Sequence, residues 1–386
     1  MSPLEPLSAS FYEQARSRLQ RRLRAEELNG ALILSPGNLI YLTGFHYAVN
    51  ERPLGLFVPQ EGESVLFVPR LEAENAVWAG ISDVRVYEEF PGTQHPVLWM
   101  IESCAAPYMA VDTLEVPIYL AAKERVAYLE VSDLVLPLRA LKTPEELTLV
   151  RAAASFADMC LERILDAAGG MIRQGRSELD ILQDAVTFSR EHLNAATGAA
   201  FAQTKTTVVG TVHSGPRAAL PHGQTSARVP ERGDTVIAGI GACVGGYHAE
   251  SGATFTVGAA SASQQHCLNA AQTCNDVAVS ALRIGATGAT VNDAALGALR
   301  EAGLGDAIRH RIGHGMGIEG HEAPWLAPGG DVPCAVGMVF SNEPGIYRPG
   351  LDGYRTINTM ILTQMGVEIP STFQRRVPLA ARVLEL

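Results

Sequence analysis

The segment Leu141-Lys142-Thr143-Pro144-Glu145-Glu146 limits the fold more than any other part of this 386-residue chain. Thr143 can cap the free N–H groups of a helix start, Pro144 suits the first turn, and Glu146 completes a capping box. Leu147, Val150, Ala154, Ala157, Leu161 and Leu165 then recur at spacings of three and four. That is the apolar face of a long amphipathic helix. A start this firm divides the chain, and we read two domains, 1–141 and 142–386.

Residues 1–141 carry short apolar runs of strand length: Ala31–Leu34, Gly55–Val58, Val65–Val68, Val84–Tyr87 and Met109–Val111. Helix-like stretches separate several of them, which makes this an α/β domain. Ser35-Pro36-Gly37-Asn38 reads as a turn. Beyond the long helix, Ser177-Glu178-Leu179-Asp180 and Thr290-Val291-Asn292-Asp293 open two more helices. Thr235–Ala238, Thr254–Val257, Met338–Phe340 and Thr359–Thr363 read as strands. The second domain is therefore α+β, with helices packed on a mainly antiparallel sheet.

Composition excludes several functions. A net charge of −11 argues against nucleic acid as a partner, since phosphate binding needs a basic surface. No run reaches the length of a membrane span. The stretch Met1–Leu28 is polar and arginine-rich, without the apolar core of a secretory signal. Phe11–Glu27 reads as a short basic amphipathic helix. Six scattered cysteines without a CxxC pair read as reduced thiols of a cytoplasmic protein.

The chemistry concentrates near the C-terminus. Gly313-His314-Gly315-Met316-Gly317 is followed by His321-Glu322 and then by Ser341-Asn342-Glu343-Pro344-Gly345. Histidine and glutamate in tight glycine-flanked turns can present ligands at a cleft. Seven of the ten histidines lie between His213 and His321. The glycines lack both the lysine of a P-loop and a dinucleotide fingerprint.

Six segments in order resemble the creatinase / aminopeptidase P / prolidase superfamily, the "pita-bread" hydrolases of class M24. They are Asn38–Phe45, Lys142–Glu146, His213–Gly223, Gly233–Phe255, Gly313–Glu322 and Asn342–Tyr347. The resemblance implies a creatinase-like α/β N-terminal domain, a C-terminal pita-bread catalytic domain, and a homodimer. It also implies a small-molecule or dipeptide substrate. Metal-dependent members hold two divalent ions with two Asp, one His and two Glu. Position by position, these fall on Gly239, Glu250, His314, Glu343 and Ile357. Gly239 has no donor atom, Ile357 offers only hydrocarbon, and Glu250 is a methylene longer than Asp.

Two divalent ions bring four positive charges, and two carboxylates with one imidazole cannot neutralise them. Two readings of the cofactor follow. Glu250, His314 and Glu343 form a ligand set for one Zn²⁺, Mn²⁺ or Fe²⁺. With no ion, Glu250 and Glu343 grip a cationic group of the substrate, as in creatinase-like members.

The resemblance gives His222 an acid/base role and places His321 near the scissile bond. Tyr354, Arg355 and His213 are candidate substrate contacts, Arg355 as an anchor for a carboxylate. His248, His266 and His310 read as surface or hydrogen-bonded residues. The functional expectation is an Xaa-Pro dipeptidase- or aminopeptidase-like hydrolase of a C–N bond. The alternatives are a metal-independent amidinohydrolase or amidohydrolase, and a non-catalytic binding protein.

Overall fold

A computed structural model describes residues 4–386, and residues 1–3, the start of the Met1–Leu28 segment, lie outside it. The chain divides into two compact units, Pro6–Arg139 and one formed mainly by Ala140–Leu386. Among the described residues no helix is long and apolar enough to cross a membrane.

The first unit is built on a six-stranded mixed sheet. Its spatial order is Asp83–Tyr87, Val65–Pro69, Gly55–Pro59, Gly30–Ile33, Tyr108–Val111 and Tyr128–Val131. The last strand escapes a sequence reading because Tyr128 and Val131 are exposed and leave only a short apolar signal. Ala9–Ala25 forms the basic amphipathic helix, burying Phe11, Ala15, Leu19 and Leu23. The expected turn at Ser35–Asn38 is instead the start of a helix, Pro36–Thr43, which ends on Gly44 in the left-handed region. Proline in the first turn of a helix and proline in a turn look alike in sequence.

The second unit opens with the 30-residue helix Pro144–Arg173. The Thr143 side chain caps the Glu146 N–H, and the Glu146 side chain caps Thr143 in return. Helix Glu178–Thr197 carries the same reciprocal cap through Ser177 and Asp180. The third expected helix starts three residues earlier than its Thr290 signal, over Gly288–Glu301, with Thr287 as the cap.

These helices accompany a nine-stranded sheet. Its main path runs Glu322–Leu326, Gly313–Gly315, Val339–Asn342, Ile357–Thr363, Tyr247–Val257, Thr235–Val244 and Thr207–Ser214. Every neighbouring pair on this path is antiparallel. The register places Gly239 opposite Gly252, Gly241 opposite Glu250, and Ile357 opposite Gly252. His314 stands opposite Ser341. Residues far apart in sequence thus meet across the middle of the sheet. A cap of Ala, Leu and Cys side chains from helices Ala262–Ala281 and Gly288–Glu301 buries the adjoining core.

Candidate active site

A cleft of about 790 Å³ opens over this part of the sheet. Its wall includes His222, Gly239, Glu250, His310, His314, His321, Glu343, Arg355 and Ile357. The loop bearing His222 is held from below by the fully buried Glu178. That carboxylate accepts hydrogen bonds from the N–H and hydroxyl groups of both Ser214 and Ser226. Glu343 sits just after strand Val339–Asn342, where its N–H donates to the Ile312 carbonyl at 2.7 Å. Behind it the Asn275 side-chain oxygen accepts from Asn342 at 2.9 Å and from Asn358 at 2.7 Å. These bonds fix the strand ends that flank residues 343 and 357.

His314 is the centre of the cluster. Its Nδ1 faces the Gly315 carbonyl at 3.0 Å, so Nδ1 carries the proton and Nε2 presents its lone pair. Nε2 lies 2.9 Å from Glu343 Oε1 and 3.9 Å from Glu250 Oε2. It is buried without a well-aligned hydrogen bond. A lone pair turned on two carboxylates is repulsive until a proton or a cation enters between them. Accordingly His314 holds a proton above the ordinary histidine range: burial opposes this, but the Glu343 bond and charge and then the Glu250 charge prevail. Burial, then the charge of Glu343, pushes the Glu250 carboxyl up to about 7. Burial acts upward on Glu343 as well, but the His314 bond and charge, followed by Arg355, hold it at about 2. Two carboxyls of one site are thereby driven apart, the separation that assigns one to hold a proton and the other a charge. Ser341 donates its hydroxyl to Glu250 Oε2 at 2.7 Å.

Glu250, His314 and His321 bring ligand atoms within 4.8 Å of one another. The His314 and His321 rings stack with centroids 3.7 Å apart. His321 therefore stands closer to the cluster than the pocket role the sequence suggests. These three form a partial set of ligand atoms, and Glu343 Oε1 stands 2.9 Å from His314 Nε2.

Gly239 and Ile357 bring no donor side-chain atom to the cleft. A methyl group placed on Gly239 would meet Arg355 Nη2 at 2.7 Å and Ile357 Cδ1 at 3.4 Å. A guanidinium fills the space where a residue-239 carboxylate would project. The Ile357 side chain lies so close to Gly252 that a methyl there would approach it to 2.6 Å. A guanidinium and hydrocarbon thus occupy the space beside Gly239.

Other sequence expectations divide. Arg355 and His222 line the cleft. Tyr354 does not: it is fully buried and donates its hydroxyl to Asp352 at 2.6 Å, so it cannot contact substrate in this arrangement. It alternates in direction with Arg355 along one strand, and only one of two successive residues can face the cleft. His213 is also buried, beneath Gly223, and is not part of the cleft wall; burial first of all lowers its proton affinity. His248 is tied to the Gly317 carbonyl, and burial lowers it to about 4. His310, by contrast, lines the cleft and accepts from the Tyr347 hydroxyl at 2.9 Å while its Nδ1 donates to the Arg311 carbonyl.

Proteins of known family share this fold. The Metallopeptidase family M24 model matches residues 148–364, and the Creatinase/Prolidase N-terminal domain matches residues 16–141. The chain belongs to metallopeptidase family M24. It is 31% identical over 343 residues to the probable dipeptidase PepE of Mycobacterium tuberculosis, covering 87% of this chain and 88% of that one. It is 29% identical to an Xaa-Pro dipeptidase of Lactobacillus delbrueckii, covering 90% and 94%. Among solved structures, dipeptidase PepE from Mycobacterium ulcerans superposes with a TM-score of 0.82 at 28% identity, over 99% of this chain and 100% of that one. An Xaa-Pro dipeptidase from Bacillus anthracis gives 0.78 at 27% identity, over 93% and 97%.

Proposed function

We propose that this chain hydrolyses a C–N bond in small peptides, in the manner of an Xaa-Pro dipeptidase, with at most one divalent ion. The observation that carries the reading is the meeting of Glu250, His314 and Glu343 across the sheet, with His222, His310 and His321 around one cleft. The dipeptidase names of the similar proteins support the substrate class. A bound Zn²⁺, Mn²⁺ or Fe²⁺ would be held by Glu250, His314, His321 and Glu343, and would supply Lewis-acid polarisation. The chain's own groups do the rest. With no ion bound, Glu250, with its proton affinity near neutrality, takes a proton from water and returns it. His222 is exposed on the cleft rim, placed to protonate the departing nitrogen. Glu343 stays charged and fixes His314.

One observation favours a second reading. The Arg355 guanidinium beside Gly239 already contributes a positive charge to the cleft, which supports a metal-independent, creatinase-like hydrolase. Turnover of Ala-Pro and of amide substrates, with and without a chelator, separates the two. Loss of Ala-Pro hydrolysis in chelator, restored by Mn²⁺ or Zn²⁺, supports the one-ion enzyme. Chelator-resistant turnover supports the second. His222→Ala and Glu343→Ala should each lower turnover about 10²–10⁴-fold. Full activity in both variants would remove either catalytic reading. A homodimer is the assembly we expect, to be measured by light scattering.

A further inference from the structure

A second cavity, of about 610 Å³, opens on the reverse face of the same sheet. Ile357 lines the cleft, and Asn358, the next residue of strand Ile357–Thr363, lines this cavity. Successive strand residues point to opposite faces. The cavity floor is polar although it is buried: Asn275, Asn358, Ser371 and Gln374 all lie there. Packing alone would favour hydrocarbon at such positions.

The bonds of Gln374 fix which way its amide points. Its Nε2 donates to the Gly252 carbonyl at 2.6 Å and to the Ile357 carbonyl at 2.9 Å. Only the amide nitrogen can donate, so Oε1 is the end left over, and it is buried without a partner. An unmet buried acceptor calls for a donor. Two wall charges are also unmatched. Asp276 receives only the side-chain amides of Gln272 at 2.8 Å and Asn275 at 3.0 Å. Arg375 is exposed and has no acidic partner among the described residues. The remaining charge, Glu368, is already held by two bonds from Arg151, at 2.7 and 2.8 Å. Val367, Ile369 and Pro370 supply apolar wall. A free anion, a free cation, a buried acceptor and hydrocarbon together match a zwitterion with an apolar side chain.

We infer that this cavity binds a free apolar α-amino acid, and that its occupancy adjusts the cleft through the sheet. The ammonium group meets Asp276 and Gln374 Oε1, the carboxylate meets Arg375, and the side chain lies on Val367, Ile369 and Pro370. The coupling runs through two floor residues. Gln374 holds the backbone of Ile357. Asn275 Oδ1 accepts from both Asn342 and Asn358, the chain neighbours of Glu343 and Ile357. Free amino acids are what a dipeptidase releases, so the coupling rests on the peptidase reading above, whereas the binding does not.

The probe is L-leucine, set against L-leucinamide, which lacks the carboxylate, and 4-methylpentanoate, which lacks the ammonium. Calorimetric titration of the full chain should show leucine binding at least about tenfold more tightly than either analogue. Asp276→Asn and Arg375→Gln should each weaken leucine by about tenfold or more and leave turnover without leucine unchanged. Glu343→Ala, in the cleft, should leave this binding in place. Leucine should change Ala-Pro turnover of the parent by at least about twofold, and the change should vanish in Arg375→Gln. Melting curves show that the variants are folded. No leucine binding, binding no tighter than the analogues, or binding that survives both wall variants overturns the inference. So does binding lost in folded Glu343→Ala, which would belong to the cleft. Leucine held by Asp276 and Arg375 without effect on measurable turnover overturns the coupling. If Ala-Pro is not hydrolysed while leucine binds in this way, the site stands and the peptidase reading alone falls.

Discussion

Lys142 and Glu322 form a buried ion pair, and its removal makes a demanding test of how the cleft is held. Nζ lies 2.9 Å from Glu322 Oε1, with the two side chains only 2% and 1% exposed. Glu322 Oε2 also accepts from the Glu319 N–H at 3.2 Å, so the carboxylate organises the 315–322 loop and the position of His321 beside it. Lys142→Met keeps most of the stem's volume and removes the charge. Breaking a buried pair from one side costs roughly 3–5 kcal/mol, because the remaining ion stays desolvated. For a unit of this size each kcal/mol lowers the melting temperature by about 2–4 °C, so the fall should be about 6–20 °C. Lys142→Met with Glu322→Gln removes both charges and should recover at least about half of that loss. Differential scanning calorimetry of the single and double variants reads both quantities. A single variant within about 1 °C of the parent, or a double variant whose losses simply add, would refute the argument.

Other outcomes follow from the cleft. Elemental analysis after Mn²⁺ or Zn²⁺ loading should find no more than one ion per chain, and His314→Ala should find none; two ions per chain would contradict the role given to Arg355 and Ile357. Ion affinity should rise with pH. The carboxyl of Glu250 keeps its proton to about 7 and His314 keeps its own above the ordinary range, so protons compete with the cation below neutrality and cease to as pH rises. Each proton displaced should strengthen binding about tenfold per pH unit, up to about pH 7 for the Glu250 proton and on above the ordinary histidine range for the His314 proton; calorimetry in buffers of different ionisation heat checks it. Two glycines of helix Gly288–Glu301 should behave oppositely. Gly288→Ala would press a methyl to 2.0 Å of the Trp325 carbonyl and should destabilise by about 1–3 kcal/mol, whereas Gly297→Ala meets nothing within 4 Å and should stabilise by about 0.5–1 kcal/mol. Urea melts of the two variants give the comparison.

The legible parts of the molecule were those that depend on neighbours in sequence. The reciprocal caps at Thr143 and Ser177, and the strands around Ile237, Phe255, Phe340 and Ile361, are local patterns of propensity and period. His314 and Glu343 were nameable because glycine-flanked motifs carry them, and Glu250 because the family resemblance placed a ligand there. What stands in the space above Gly239 was not, because Arg355 reaches it from another strand more than a hundred residues on. Tyr354 was misplaced for a related reason: a residue's face depends on strand register, and register is set by pairing partners. His310 was undervalued because its neighbours Tyr347 and Glu343 arrive only through the sheet.

The fit of Ile357 against Gly252 makes this cleft a one-way door. An aspartate at 239 introduced alone would be clamped by the arginine and could offer little to an ion. A glutamate at 357 introduced alone would crowd a third acid beside two that already repel each other. Neither step gives a foothold for the next. Drift can retune what this enzyme accepts far more readily than it can rebuild a second cation's seat.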